Sequence, residues 1–355
     1  SFLLTQISFV IGFYIFRPIK LKKFQQSEFK LLSIPKYIKV LYVLSGICFI
    51  MSNYSLYIFK GIPLLMPSRL EAGTGGFGIF IAMTYITKNV LVAFILLKIT
   101  ILKEKLTFID KFFLLNIIIQ IILSGSRSGI LGILISAFWI LFFMEVRFNI
   151  YFFKKYKSKL NTLVVIAIFI SLFLFYISTK QNPIYMFLFR IVMTGDIYMM
   201  AYVNDMINVI EGSFLDHFLG PILAGFKLID WNEVPVSIGQ QLFDYLYKTD
   251  IILGPNARMN IVALKFFDFF GGVLYSFLIG FIISFIRNKL IYLVPKNVTG
   301  LLIYLFISLP SLSLETDIFY AIFNYKSEIS LLLPIFVVVI IISQVSKKED
   351  FKNDR

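Results

Sequence analysis

The chain has 355 residues, 59% of them hydrophobic, 17% aromatic and 15% charged, with a formal net charge of +14. A mean hydropathy of +0.86 excludes a soluble globular domain, and long unbroken apolar runs exclude the alternating strands of a membrane barrel. A single cysteine, Cys48, lies inside a predicted span and excludes both a disulfide framework and a cysteine-built metal site.

Apolar runs predict membrane-spanning helices near 2–16, 40–59, 77–97, 112–123, 129–146, 160–178, 261–286, 298–314 and 329–345. The fold expected is an all-α polytopic membrane protein with about nine transmembrane helices. Residues 1–178 form an N-terminal group of spans, 179–260 a large loop, 261–345 a C-terminal group of spans, and 346–355 a tail. The chain opens on Ser-Phe-Leu without a methionine, so further spans are expected upstream and the first one is read as truncated.

Lysine and arginine set the orientation. With 17–39 on the cytoplasmic side, alternation places 98–111, 147–159, 287–297 and the tail there too, and these segments hold 23 of the 34 basic residues. The positive charge is therefore a topology signal of a bacterial inner-membrane protein, not a nucleic-acid surface. No P-loop or nucleotide-binding strand–turn–helix is present, so a cytosolic nucleotide has no evident place to bind. The 179–260 loop then lies on the opposite, outer face. Within it, Ile197, Met200, Val203, Ile207 and Ile210 share one face of a helix predicted over Asp196–Ile210, lying in the membrane interface. Gly220-Pro221, Gly225 and Pro235 are expected to break the pattern, and Gly254-Pro255-Asn256 marks the return to the bilayer.

Two outer turns carry the sharpest chemistry. Ser124-Gly125-Ser126-Arg127-Ser128-Gly129 joins two spans directly. Ser126 or Ser128 can cap the following helix, whose free amides, with the Arg127 guanidinium, form an anion site. The alternative is a tight hairpin whose arginine touches lipid phosphates. The loop from Gly61 through Pro63 and Arg69 to Gly78 combines glycine freedom with a second arginine, and reads equally well as a flexible re-entry loop. Arg190 and Arg258 bracket the long loop; each alone also fits a side chain snorkelling to headgroups. As a set, Arg69, Arg127, Arg190 and Arg258 suit a diphosphate. His217, the one histidine, is a candidate general base or simply a solvated loop residue. Lys88 falls mid-span and needs a partner, a cavity or a path to the surface. Asp196 and Asp205 are too far apart to suggest a metal, and Glu315-Thr316-Asp317 is explained by solvation; no metal and no cofactor is expected.

Taken together, the Ser-Arg-Ser-Gly hairpin at 126–129, the Gly61-Ile62-Pro63-Leu64-Leu65…Arg69…Gly loop, and the long outer loop followed by Met259-Asn260…Asp268-Phe269-Phe270-Gly271-Gly272-Val273-Leu274-Tyr275…Gly280 resemble the O-antigen polymerase (Wzy) and oligosaccharide repeat-unit polymerase family. The resemblance implies a GT-C-like, O-antigen-ligase-like architecture. It also implies a metal-independent glycosyltransferase acting on an undecaprenyl-diphosphate-linked oligosaccharide at the periplasmic face, in lipopolysaccharide biosynthesis. A chain-length regulator and a flippase would be its partners. In that setting Arg127, Arg190, Arg258 and His217 are the catalytic candidates, and Arg69, Ser126, Ser128, Asp196 and Asp205 the substrate-binding ones. An O-antigen ligase and a non-enzymatic lipid-linked oligosaccharide flippase are the other readings.

Overall fold

The structure is a computed structural model that describes residues 2–16, 36–66, 77–99, 104–125, 134–142, 145, 152–179, 182–192, 195–248, 254–293 and 298–353. Among these residues the regular structure is entirely helical. The helices are α1 (Phe2–Tyr14), α2 (Lys36–Phe59), α3 (Gly78–Leu97), α4 (Phe108–Leu123), α5 (134–142), α6 (Phe152–Thr179) and α7 (Pro183–Val192). They continue with α8 (Asp196–Tyr202), α9 (Phe214–Gly225), α10 (Ile238–Tyr247), α11 (Met259–Phe285), the single turn α12 (Ile291–Leu293), α13 (Val298–Ser311) and α14 (Ile318–Asn353). The helical stretches Tyr37–Leu65, Gly78–Leu97, Met259–Leu293 and Ile318–Val339 are long and apolar enough to cross a bilayer. The protein is a helical membrane protein. Part of the span expected at 129–146 lies outside the described residues, and α4, with 16 residues, is shorter than a usual full crossing.

The chain divides into two compact units. One contains 1–20, 184–293 and 306–326. Here α1 runs parallel to the second half of α11. Glycine makes the approach possible: a Cβ on Gly12 would strike the carbonyl of Phe277, and one on Gly280 the carbonyl of Phe9. Small residues serve this purpose between membrane helices, where the apolar effect does not distinguish lipid from protein. The Ser8 hydroxyl donates to the Val273 carbonyl (2.7 Å), and the Asn288 amide to that of Phe16 (2.7 Å).

The span expected over 261–286 is not one straight helix. Asp268 leaves the helical region at φ 52°, ψ −160°, a conformation nearly restricted to glycine. Met259–Ala263 are buried before the break, while Phe269 and Phe270 are exposed just after it. Gly272 then lies on the Ala263 carbonyl, closer than a side chain would allow.

The other unit contains 21–183, 294–305 and 327–355, and its best-packed part is α2 on α3 and α4. Gly46 leaves room for the Phe113 ring. The Tyr42 ring stacks on Phe94 (centroids 4.2 Å apart) and meets Phe113 edge-on. At the start of α4, Thr107 and Asp110 form a reciprocal capping box. The Asp110 carboxylate also accepts from the Tyr42 hydroxyl (2.7 Å) and from the Lys98 ammonium (2.9 Å).

Candidate functional site

The first unit gathers the long loop into a packed body. Its apolar core joins Ile197, Met200 and Ala201 of α8 to Ile238 and Leu242 of α10, to Met259, Ile261 and Val262 at the head of α11, and to Leu314 and Ile318. The single helix expected over Asp196–Ile210 is two pieces. It ends at Tyr202, turns extended at Val203 (ψ 130°), and resumes as a 3-10 helix, Val203–Val209. That shift buries Met206 in place of Val203, so burial of the better-fitting side chain overrides the helical period. Gly220-Pro221 is not a break either. α9 runs through it, at the cost of one backbone bond to the His217 carbonyl, and Gly220 carries no Cβ to clash with the proline ring.

Arg258 is the pivot of the site. It precedes α11 at φ 51°, ψ 136°, a left-handed φ that costs a non-glycine residue about 1–3 kcal/mol. Two backbone bonds hold it there: Arg258 N–H donates to the Thr316 carbonyl and Met259 N–H to that of Glu315, both at 2.9 Å. Beside this elbow, the Tyr198 hydroxyl donates to Asn260 Oδ1 (3.2 Å), and the Asn260 amide donates to Thr5 Oγ1 (2.8 Å) and Gln6 Oε1 (3.2 Å). Burial pushes the Tyr198 phenol up, the Arg258 guanidinium pulls it down, and the Glu315 carboxylate pushes it up again. An arginine, a carboxylate, a phenol and an amide therefore converge at the head of α11.

Asp317, assigned to solvation from the sequence, is half-buried and also ties two segments of this body together. Its carboxylate accepts the Tyr320 N–H (3.0 Å) and those of Ala257 and Phe319. It thus caps α14 and fastens the residue before Arg258 in one stroke. Burial pushes the carboxyl up, and those three amides and nearby His217 pull it back. Its tie to Ala257 joins segments remote in sequence, which a local reading of 315–317 does not contain.

His217 is 4% exposed, on the inner face of α9 between Phe266 and Phe319 (ring centroids 5.7 and 5.3 Å). Ser213 and Asp216 cap the helix that carries it. His217 Nε2–H donates to the Glu211 carbonyl at 2.9 Å, which leaves Nδ1 as the basic nitrogen of the neutral ring. Burial lowers its pKa, with the Glu211 carbonyl, Asp216 and Asp317 opposing. A histidine held neutral in this way contributes stability that is full above its unfolded value of about 6.5 and is lost as pH falls below it. Asp317, held above its ordinary range, has the opposite slope: its contribution is full below the unfolded carboxylate value and is lost as pH rises through its folded one. Relative to His217→Gln, the wild-type protein should therefore lose melting stability between pH 7.5 and 5. A difference between the two proteins that stays constant over that range would show that the ring is not held neutral.

The structure thus sets Asp317 near His217 and on the amide of Ala257, next to Arg258. Asp196 stands at the start of α8, its Oδ1 accepting the Ile197 N–H at 2.8 Å, and Asp205 is exposed at φ 54° in the 3-10 turn. Arg190 falls on α7, and nothing is described of its side chain. Arg69, Ser126, Arg127 and Ser128 lie outside the described residues. Their two loops nonetheless touch where they are described. Gly125, at φ 59°, sits against Leu64, so close that a Cβ would lie 3.2 Å from the Leu64 Cα. Among the described residues, no group of three or more His, Cys, Asp or Glu side chains is placed to hold a metal ion. Compared with known proteins, the chain matches no family model, no curated protein and no solved structure.

Proposed function

We propose that the chain is a membrane glycosyltransferase of the O-antigen polymerase kind, with about nine spans in this stretch and its long loop in the periplasm. It joins undecaprenyl-diphosphate-linked repeat units for lipopolysaccharide. In the reaction, an acceptor hydroxyl oxygen bonds to the anomeric carbon of the donor sugar. The bond from that carbon to phosphate breaks, the lipid diphosphate leaves with the electron pair, and the hydroxyl proton passes to a base. The donor is already activated, so no nucleotide is needed. The chemical demand is for fixed donors where phosphate charge grows. The observation that carries the reading is Arg258. It stands at the head of α11 on a strained backbone that two hydrogen bonds and the half-buried Asp317 carboxylate keep in place. Strain retained at such a position is a mark of function. His217 Nδ1 is the candidate base. Arg69, Arg127 and Arg190 are the further phosphate ligands of the proposal.

The surface glycans of a strain lacking the protein test this. Loss of a polymerase leaves lipopolysaccharide capped with single repeat units, the expected result. Lipopolysaccharide with no capped unit would make it a ligase, and repeat units trapped inside the cell would make it a flippase.

A further inference from the structure

A second polar feature lies in the other unit, inside the helix packing rather than at the loops. A narrow cleft, with room for about 10 Å³ and so for one water-sized group such as a single hydroxyl, is lined by Phe49, Ile50, Asn53, Tyr54 and Tyr57 of α2 and by Asn116, Ile119 and Gln120 of α4. It is uncharged. The two asparagine amides are occupied by their own helices: Asn53 donates to the Phe49 carbonyl (3.0 Å) and Asn116 to that of Phe112 (2.9 Å). Their oxygens face Thr84 Oγ1 and the Tyr54 hydroxyl. Two lining atoms are left over. The Tyr57 hydroxyl and Gln120 Oε1 are both buried and neither has a hydrogen-bond partner. Orphaned polar atoms in an apolar surround are costly, and their presence together on one cleft asks for a ligand.

The cleft also states what that ligand must be. Gln120 Oε1 only accepts, and the Tyr57 hydroxyl can donate, so one group that does both, a hydroxyl, satisfies the pair. The mouth lies between two exposed apolar faces. One is Ile47, Met51, Tyr54 and Ile58 on α2; the other is Phe112, Leu115 and Ile119 on α4. On membrane helices such faces meet lipid, so the route in is from the bilayer. Tyr57 and Gln120 both lie within about one turn of their helix ends, Phe59 and Leu123, at the depth where a lipid's uncharged polar part resides. We propose that this cleft binds the hydroxyl of a lipid alcohol, which donates to Gln120 Oε1 and accepts from Tyr57, while the exposed Tyr54 and Ile119 at the mouth lie against its chain. This site is independent of the polymerase reading.

The test uses the full chain, stripped of co-purifying lipid and placed in phosphatidylcholine nanodiscs, with labelled dioleoylglycerol or its 3-O-methyl ether as probe. The ether can still accept a hydrogen bond but cannot donate one. The alcohol should be retained about tenfold more tightly, the worth of one buried hydrogen bond. Gln120→Leu should abolish that preference. Tyr57→Phe removes only an unpartnered oxygen, so it should melt like the wild type while weakening both probes. Equal retention of the two probes by the wild type, or a preference that survives in both variants, would overturn the proposal. Displacement of dioleoylglycerol by glycerol in the buffer would overturn the entry from lipid.

Discussion

Asp110→Ala should lower the stability of the protein in detergent by about 3–5 kcal/mol, the usual cost of stripping a buried ion pair of one partner. Asp110 is 0% exposed and Lys98 13% exposed, so the cation left behind has little water to turn to. The same substitution removes the acceptor of the Tyr42 hydroxyl, itself buried against Phe94 and Phe113. It also removes half of the Thr107 capping box, because Asp110 Oδ2 accepts both the Thr107 N–H (2.8 Å) and its hydroxyl (2.7 Å). These losses share one carboxylate and are not additive. A double variant, Asp110→Ala with Lys98→Met, isolates the cation: most of the loss should be recovered once no unpaired charge remains. A melting midpoint for Asp110→Ala equal to the wild type would mean that Lys98 and Tyr42 are satisfied by solvent and that the cluster does not hold α2, α3 and α4 together.

On the proposed polymerase function, Arg258→Lys should lower polymer formation from purified lipid-linked repeat units about a hundredfold, the effect of misplacing one preorganised donor at a developing charge. Lysine keeps the charge and the backbone bonds to Thr316 and Glu315, so the fold is retained. What it lacks is the planar fork that holds two phosphate oxygens at once. Arg258→Gly separates the two roles further. Glycine adopts φ 51° without strain, so this variant should melt at or above the wild-type temperature while losing polymerisation. Restored stability with lost activity is the signature of strain kept for chemistry. A native rate for Arg258→Lys would reduce the residue to a headgroup contact. The same exchange at Arg69, Arg127 and Arg190 sorts the remaining arginines, since a side chain that only reaches headgroups works equally well as lysine.

The sequence by itself determined that this is a helical membrane protein. Apolar runs such as 40–59 and 77–97 leave the backbone no partner but its own, and α2 and α3 occupy them. It also determined which residues have unusual chemistry, Arg258 and His217 among them, because charge or imidazole at such places stands out against an apolar background. What it could not determine is which side chains meet. The polar knot at the head of α11 joins Asn260 to Thr5, 255 residues away, and no local period encodes that distance. Only the tertiary structure decided that Asp317, half-buried, is a cap tied to Ala257, since that tie is supplied by a remote segment. It decided as well that α11 bends at Asp268, where a hydrophobic window sees an uninterrupted span. A window measures average apolarity, which sets whether a segment leaves water. The individual backbone angle and the individual partner follow from packing, where the fit of a few side chains outweighs local preference by a few kcal/mol.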